Sequence, residues 1–216
     1  MSPITISATG VCVLDLLFND VDLSSEAIKP YLSRTQVKHD SLSPSAAKTC
    51  STIVLSDPIF SAGQGERSFI YFPNRMRYSR TNLDKRFFSS DITLFAGTEN
   101  YPDIYENFTS LLKQCKENGC VTFVETSYDS YSESKNPGQK WIMGDSDECY
   151  HYIDILAMNR DEALKHSGTK NFNDAVSYFK KSGTSSFIIT RGPHPIYFHS
   201  NGKLFQEEEG YMPVSK

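Results

Sequence analysis

The chain reads as an α/β protein with a mostly parallel β-sheet flanked by helices. Two observations carry that reading. Short, near-continuous apolar runs recur at 91–96 (DITLFA), 120–125 (CVTFVE), 153–158 (IDILAM) and 186–190 (SFIIT), the pattern of strands buried on both faces. Between several of these runs, apolar residues fall at helical spacing. Strands alternating with helices imply right-handed crossovers and a sheet covered on both faces.

The elements follow in order. Residues 4–18, ITISATGVCVLDLLF, form a strand region interrupted by Gly10. Residues 33–51 are polar and Ser-rich, without a period, and predict a loop. TIVLS (52–56) and RSFIYF (67–72) read as strands of a hairpin, separated by a turn-rich insert. After the strand at 91–96 comes Gly97, then a helix over 102–118. Its stripe is Ile104, Phe108, Leu111, Leu112 and Cys115, with Pro102 in the first turn and Gly119 at the stop. A longer excursion through Pro137, Trp141 and the acidic run 145–148 separates the next two strands. Phe172, Ala175, Val176 and Phe179 mark another helix, closed by Gly183. PIYFHSNGKLF (195–205) predicts a hairpin turning at Asn201-Gly202.

Bulk properties exclude several function classes. The 216 residues carry a net charge of −4 and no basic block, so neither nucleic acid nor an anionic membrane is an expected partner. The apolar stretch VCVLDLLF is too short to span a bilayer and contains Asp15. The N-terminus lacks a basic region preceding an apolar one, which argues against a secretory signal. The five cysteines include no C-x-x-C pair. Together these features point to a reduced, cytoplasmic protein.

In an open parallel sheet, ligands bind beyond the carboxyl ends of the strands. Four stretches must lie there: Gly97-Thr98-Glu99, Glu125-Thr126, Asn159 to Glu162, and Thr190-Arg191-Gly192. Such residues, with helix N-termini, suit a phosphate. Their carboxylates suit a hydrated Mg²⁺. The same residues have a plainer reading. Asn159 and Glu162, spaced as N-cap and N3, form a capping-box variant. On the residues alone the cap leads, and Thr190-Arg191-Gly192 is an ordinary turn.

Taken together, the motifs resemble the PfkB (ribokinase-like) carbohydrate kinase family. Asn159-Arg160-Asp161-Glu162 resembles its N-x-x-E motif after an apolar strand, and SFIITRG resembles the strand ending in its T-x-G element. GERSFIYF, DITLFAG and ATGVCVLDLLF resemble its Gly-Glu-Arg strand, its entry to the nucleotide half and its first strand. The resemblance covers about residues 8–30 and 52–212 and implies a three-layer ribokinase-like fold. It also implies ATP-dependent phosphorylation of a sugar or sugar-like hydroxyl. By this resemblance Asp15 orients the acceptor, Thr190 and Gly192 contact nucleotide phosphates, and Asn159 and Glu162 organise phosphates and Mg²⁺, Glu162 through water.

The chain also departs from the family pattern. It contains no Gly-Gly, so the Gly-Gly-x-x-x-Asn sugar element is missing. It contains no Gly-Ala-Gly-Asp, the element that supplies the anion hole and the catalytic Asp. Glu125-Thr126-Ser127 stands where Asp-x-Asn is usual. The expectation is therefore a single incomplete kinase domain over 1–216, with 91–216 as its nucleotide-side core. An uncovered apolar sheet face is expected to call for a partner chain or a homodimer. Stand-alone turnover is in question, and the alternative is a non-catalytic nucleotide-binding or interaction module.

Overall fold

The computed structural model describes residues 6–10, 30, 33–34, 51–57, 66–72, 79–192, 194–200 and 203–207. The chain divides into two compact units, one of Met1–Val13 with Tyr78–Lys216 and one of Leu14–Arg77. In the smaller unit, β2 (Ser51–Asp57) and β3 (Glu66–Phe72) pair antiparallel as the sequence predicts, with Ile53 opposite Ile70. Asp15 and most of the loop expected over 33–51 lie outside the described residues.

The larger unit holds a seven-stranded sheet in the order β1-β4-β5-β6-β7-β8-β9. β1 (Ile6–Gly10), β4 (Ile92–Ala96), β5 (Val121–Glu125), β6 (Ile155–Asn159) and β7 (Ser186–Arg191) run parallel. β8 (His194–Ser200) and β9 (Lys203–Glu207) close the sheet antiparallel. Each predicted apolar run from residue 91 onward is a strand.

The described helices are α1 (Pro102–Tyr105), α2 (Phe108–Glu117), α3 (Ser130–Lys135), α4 (Arg160–Ser167) and α5 (Phe172–Phe179). The single helix expected over 102–118 is thus two. Asn107 explains the break: its side-chain amide donates to the Asp103 carbonyl at 2.7 Å, taking the acceptor its own backbone N–H would need to continue the helix. Arg80 holds the other side of that amide at 2.5 Å. The apolar stripe survives the break, and Ile104, Phe108, Leu111, Leu112 and Cys115 are all buried.

β4 to β7 step across the sheet in sequence order. Right-handed crossovers then place every intervening helix on the same face. The burial pattern agrees. Phe95, Val124, Leu156, Phe187 and His199, in register across five strands, are all buried. Phe95 packs edge-to-face on both Phe87 and Phe108, with centroids 5.1 and 5.2 Å away. Each such large side chain contributes about 1.5–3 kcal/mol of burial. The opposite face carries Leu94, Phe123 and Ile155 in one row and Ala157, Ile188 and Phe198 in the next. Here Val121 is 39% exposed, Ile196 44% and Phe198 37%. The described helices between β4 and β7 thus share one face, because same-direction stepping delivers them to the same side.

Candidate active site

The carboxyl ends of β4, β5, β6 and β7 bring the four polar stretches to one edge. Backbone bonds continue the ladder past the strands: Gly97 N donates to Glu125 O at 3.2 Å and Thr126 N to Ala157 O at 3.0 Å. Asn159 and Thr190 are register partners on β6 and β7.

The Asn159–Glu162 pair forms a complete capping box at the start of α4. Asn159 Oδ1 accepts from the backbone of Asp161 and Glu162, each at 2.9 Å. In return, Glu162 Oε2 accepts the Asn159 N–H at 2.9 Å, and Oε1 accepts its Nδ2 at 2.6 Å. A further donor comes from the neighbouring strand end, where the Thr126 hydroxyl reaches Oε2 at 2.7 Å. The cap that the spacing of Asn159 and Glu162 predicts is therefore built. Burial pushes the Glu162 carboxyl above its ordinary range against these donors, and Glu125 and Asp161 push it further by repulsion.

Thr190 is exposed at the end of β7. Gly192 follows with φ +58° and open space where a Cβ would stand. Glycine is needed there for its left-handed backbone rather than for packing, and the backbone is left open to approach. Between them Arg191 is held: its Nε donates to Pro195 O at 2.9 Å, and its guanidinium lies 4.8 Å from the Phe172 ring and 4.6 Å from Tyr197. Among the described residues of these four stretches, Arg191 and Arg160 are the cations.

A buried polar layer, with no motif to announce it, lies behind this edge. Glu99 is 5% exposed, and its Oε1 accepts both the Ser127 N–H at 2.7 Å and the Ser127 hydroxyl. Burial raises its pKa to about 7. Asp129, fully buried, accepts from Ser132 N and Oγ at 2.8 and 2.7 Å and faces the Tyr105 hydroxyl at 3.0 Å. The sequence placed Glu99 at the edge, but nothing in its spacing marks it as buried.

Two clefts, of about 410 and 560 Å³, lie elsewhere. They surround Asp147 and the segments leading into β6 and β7, and neither is lined by a strand-end residue. The convergent polar groups lie instead at the carboxyl edge. Among the described residues no three His, Cys, Asp or Glu side chains are arranged to ligate a metal directly.

The family model of the pfkB family carbohydrate kinases matches residues 20–213. The chain belongs to this family. No curated protein matches the chain. Among solved structures, a putative Ribokinase II from E. coli, in complex with ATP and Mg²⁺, is similar at TM-score 0.66 and 16% identity, covering 97% of this chain and 62% of that one. Fructokinase from Xylella fastidiosa is similar at TM-score 0.64 and 12% identity, covering 98% and 61%. Ribokinase from Giardia lamblia is similar at TM-score 0.62 and 13% identity, covering 98% and 60%. This PfkB chain therefore spans about three fifths of the length of these relatives. The likeness confirms the ribokinase-like α/β fold.

Proposed function

We propose that the chain is a PfkB-type kinase domain that binds ATP with Mg²⁺ at the carboxyl edge and directs the γ-phosphoryl group to a hydroxyl of a sugar or sugar-like molecule. The observation that carries the reading is the Asn159–Glu162 box, tied to Thr126 and set in register with Thr190. Phosphoryl transfer asks the protein mainly to position groups and balance charge. In this reading Thr190 and the Gly192 backbone hold nucleotide phosphates, and Asp15 orients the acceptor. Residues 1–216 act as one kinase domain, with 91–216 as its nucleotide half.

Mg²⁺ fits this edge through water. Three protein donors occupy the Glu162 carboxylate, which offers about four acceptor positions. One position on Oε1 remains for a metal-bound water. Glu125 and Asp161 add negative charge that a cation relieves. Mg²⁺, when bound, neutralises charge developing on the transferred phosphoryl group. Asn159 fixes the Glu162 carboxylate from two sides, and Thr126 fixes it from a third.

A second reading is a nucleotide-binding module without turnover. It is favoured by one sequence observation: Glu125-Thr126-Ser127 stands where Asp-x-Asn is usual in the family. Two measurements separate the readings. Calorimetric titration with ADP and Mg²⁺ tests the site, and ATP consumption across a panel of pentoses, hexoses and nucleosides tests turnover. Binding with turnover supports the kinase; binding alone supports the module; no binding by the folded protein overturns both.

A further inference from the structure

The strand ends of the candidate site are mechanically linked. Glu99, just beyond β4, holds Ser127 by its N–H at 2.7 Å and by its hydroxyl. Thr126, one residue earlier in the same loop, holds Glu162 at 2.7 Å. Glu162 is locked to Asn159 at the end of β6. One chain of hydrogen bonds thus runs across the ends of β4, β5 and β6. It begins at a buried carboxyl that touches no proposed ligand.

Negative charge lies close to Glu99. Asp129, on the loop after β5, repels it, and the Tyr105 hydroxyl of α1 faces the same pair. Glu125, Asp161 and Glu162 crowd the next strand ends. An ionised Glu99 adds another negative charge behind an edge suited to a polyanion. A neutral Glu99 keeps the geometry: both Ser127 donors converge on Oε1, so Oε2 can carry a proton without breaking either bond.

We propose that Glu99 is a positioning residue of this edge, and that polyphosphate binding requires its carboxyl in the neutral form. The inference rests on the nucleotide reading given above. Burial brings the Glu99 pKa to about 7, so the requirement acts near neutral pH.

The test is the affinity for ADP with Mg²⁺ between pH 6.5 and 8.5, in the full chain and in Glu99→Gln and Glu99→Ala. Glutamine keeps an acceptor for Ser127 and cannot ionise; alanine loses the clamp. Wild-type affinity is expected to fall, relative to Glu99→Gln, by roughly tenfold per pH unit above the Glu99 pKa. The nucleotide's own titration is common to both proteins and cancels in the ratio. Glu99→Ala is expected to bind weakly at every pH, with Glu99→Gln restoring wild-type affinity at pH 6.5. A wild-type to Glu99→Gln ratio that stays constant with pH overturns this inference alone. No ADP binding by folded wild type at pH 6.5 overturns the nucleotide reading and this inference with it.

Discussion

The Thr126 hydroxyl donates to Glu162 Oε2 at 2.7 Å, so the loop after β5 supports the cap of the helix after β6. Thr126→Val keeps the shape and removes the donor. Glu162 is then a buried carboxyl one bond short, and stability is expected to fall by about 1–3 kcal/mol in urea denaturation. ADP affinity should fall as well, since the carboxylate loses a point of support. Unchanged stability would mean that the bond contributes nothing to the fold.

Asn159 serves both as cap and as proposed phosphate-site residue, and two substitutions separate the roles. Asn159→Ala removes the cap acceptor for Asp161 and Glu162 and is expected to cost about 1 kcal/mol. Asn159→Ser keeps an acceptor and should recover most of that stability. It lacks the Nδ2 donor that orients Glu162 Oε1, so ADP binding should remain impaired. Recovery of both properties by serine would assign Asn159 to capping alone.

His166 and Glu99 are buried groups through which pH acts on the fold in opposite senses. The His166 pKa is lowered from 6.5 to about 4, chiefly by burial. Its contribution is present above pH 6.5 and is lost as pH falls toward 4, because the unfolded chain takes the proton first. The Glu99 pKa is raised from 4.5 to about 7. Its contribution is present below pH 4.5 and is lost as pH rises through 7. The stability of Glu99→Gln relative to wild type should therefore increase from pH 4.5 to 7, by about 3 kcal/mol in all. Chemical denaturation at several pH values reads this directly, and a difference that does not change with pH would show that Glu99 is ionised throughout.

Gly144 packs against the core of α2. Its φ is +62°, and a Cβ there would stand 2.5 Å from Phe108 Cβ. Backbone strain alone costs a side chain about 1–2 kcal/mol in that region, and the buried Phe108 has little room to yield. Gly144→Ala is expected to lower the urea midpoint by more than the strain alone accounts for. An unchanged midpoint would show that the loop rearranges freely.

The legible parts of the sequence were those with a period or a cap. Apolar runs located the strands from residue 91 onward, and the stripes through Phe108 and Phe179 located helices whose buried sides are those residues. Asn159 and Glu162 announced their box by spacing alone. The break at Asn107 was hidden, because it depends on a side chain meeting the Asp103 carbonyl and on Arg80 arriving from a distant segment. The burial of Glu99 and Asp129 was hidden for a similar reason. A carboxylate in a polar loop looks solvated until tertiary packing closes Ser127, Ser132 and Tyr105 around it. That the helices between β4 and β7 share one face depends on strand order, which local pattern does not encode.

The register of β1 bears on how the protein assembles. Ile6 lies opposite Ile92, the greatest sequence separation of any paired strands described. Neighbours from β4 to β9 are joined by much shorter connections. Closing a longer loop costs more chain entropy before any contact rewards it. The sheet should therefore grow outward from β4–β9, with β1 docking last on the exposed edge of β4. During refolding, amide protection is expected to reach residues 92–96 through their β5 partners before it reaches residues 6–10. Until β1 docks, the nascent chain carries an open strand edge, and that interval is when it is most vulnerable to aggregation.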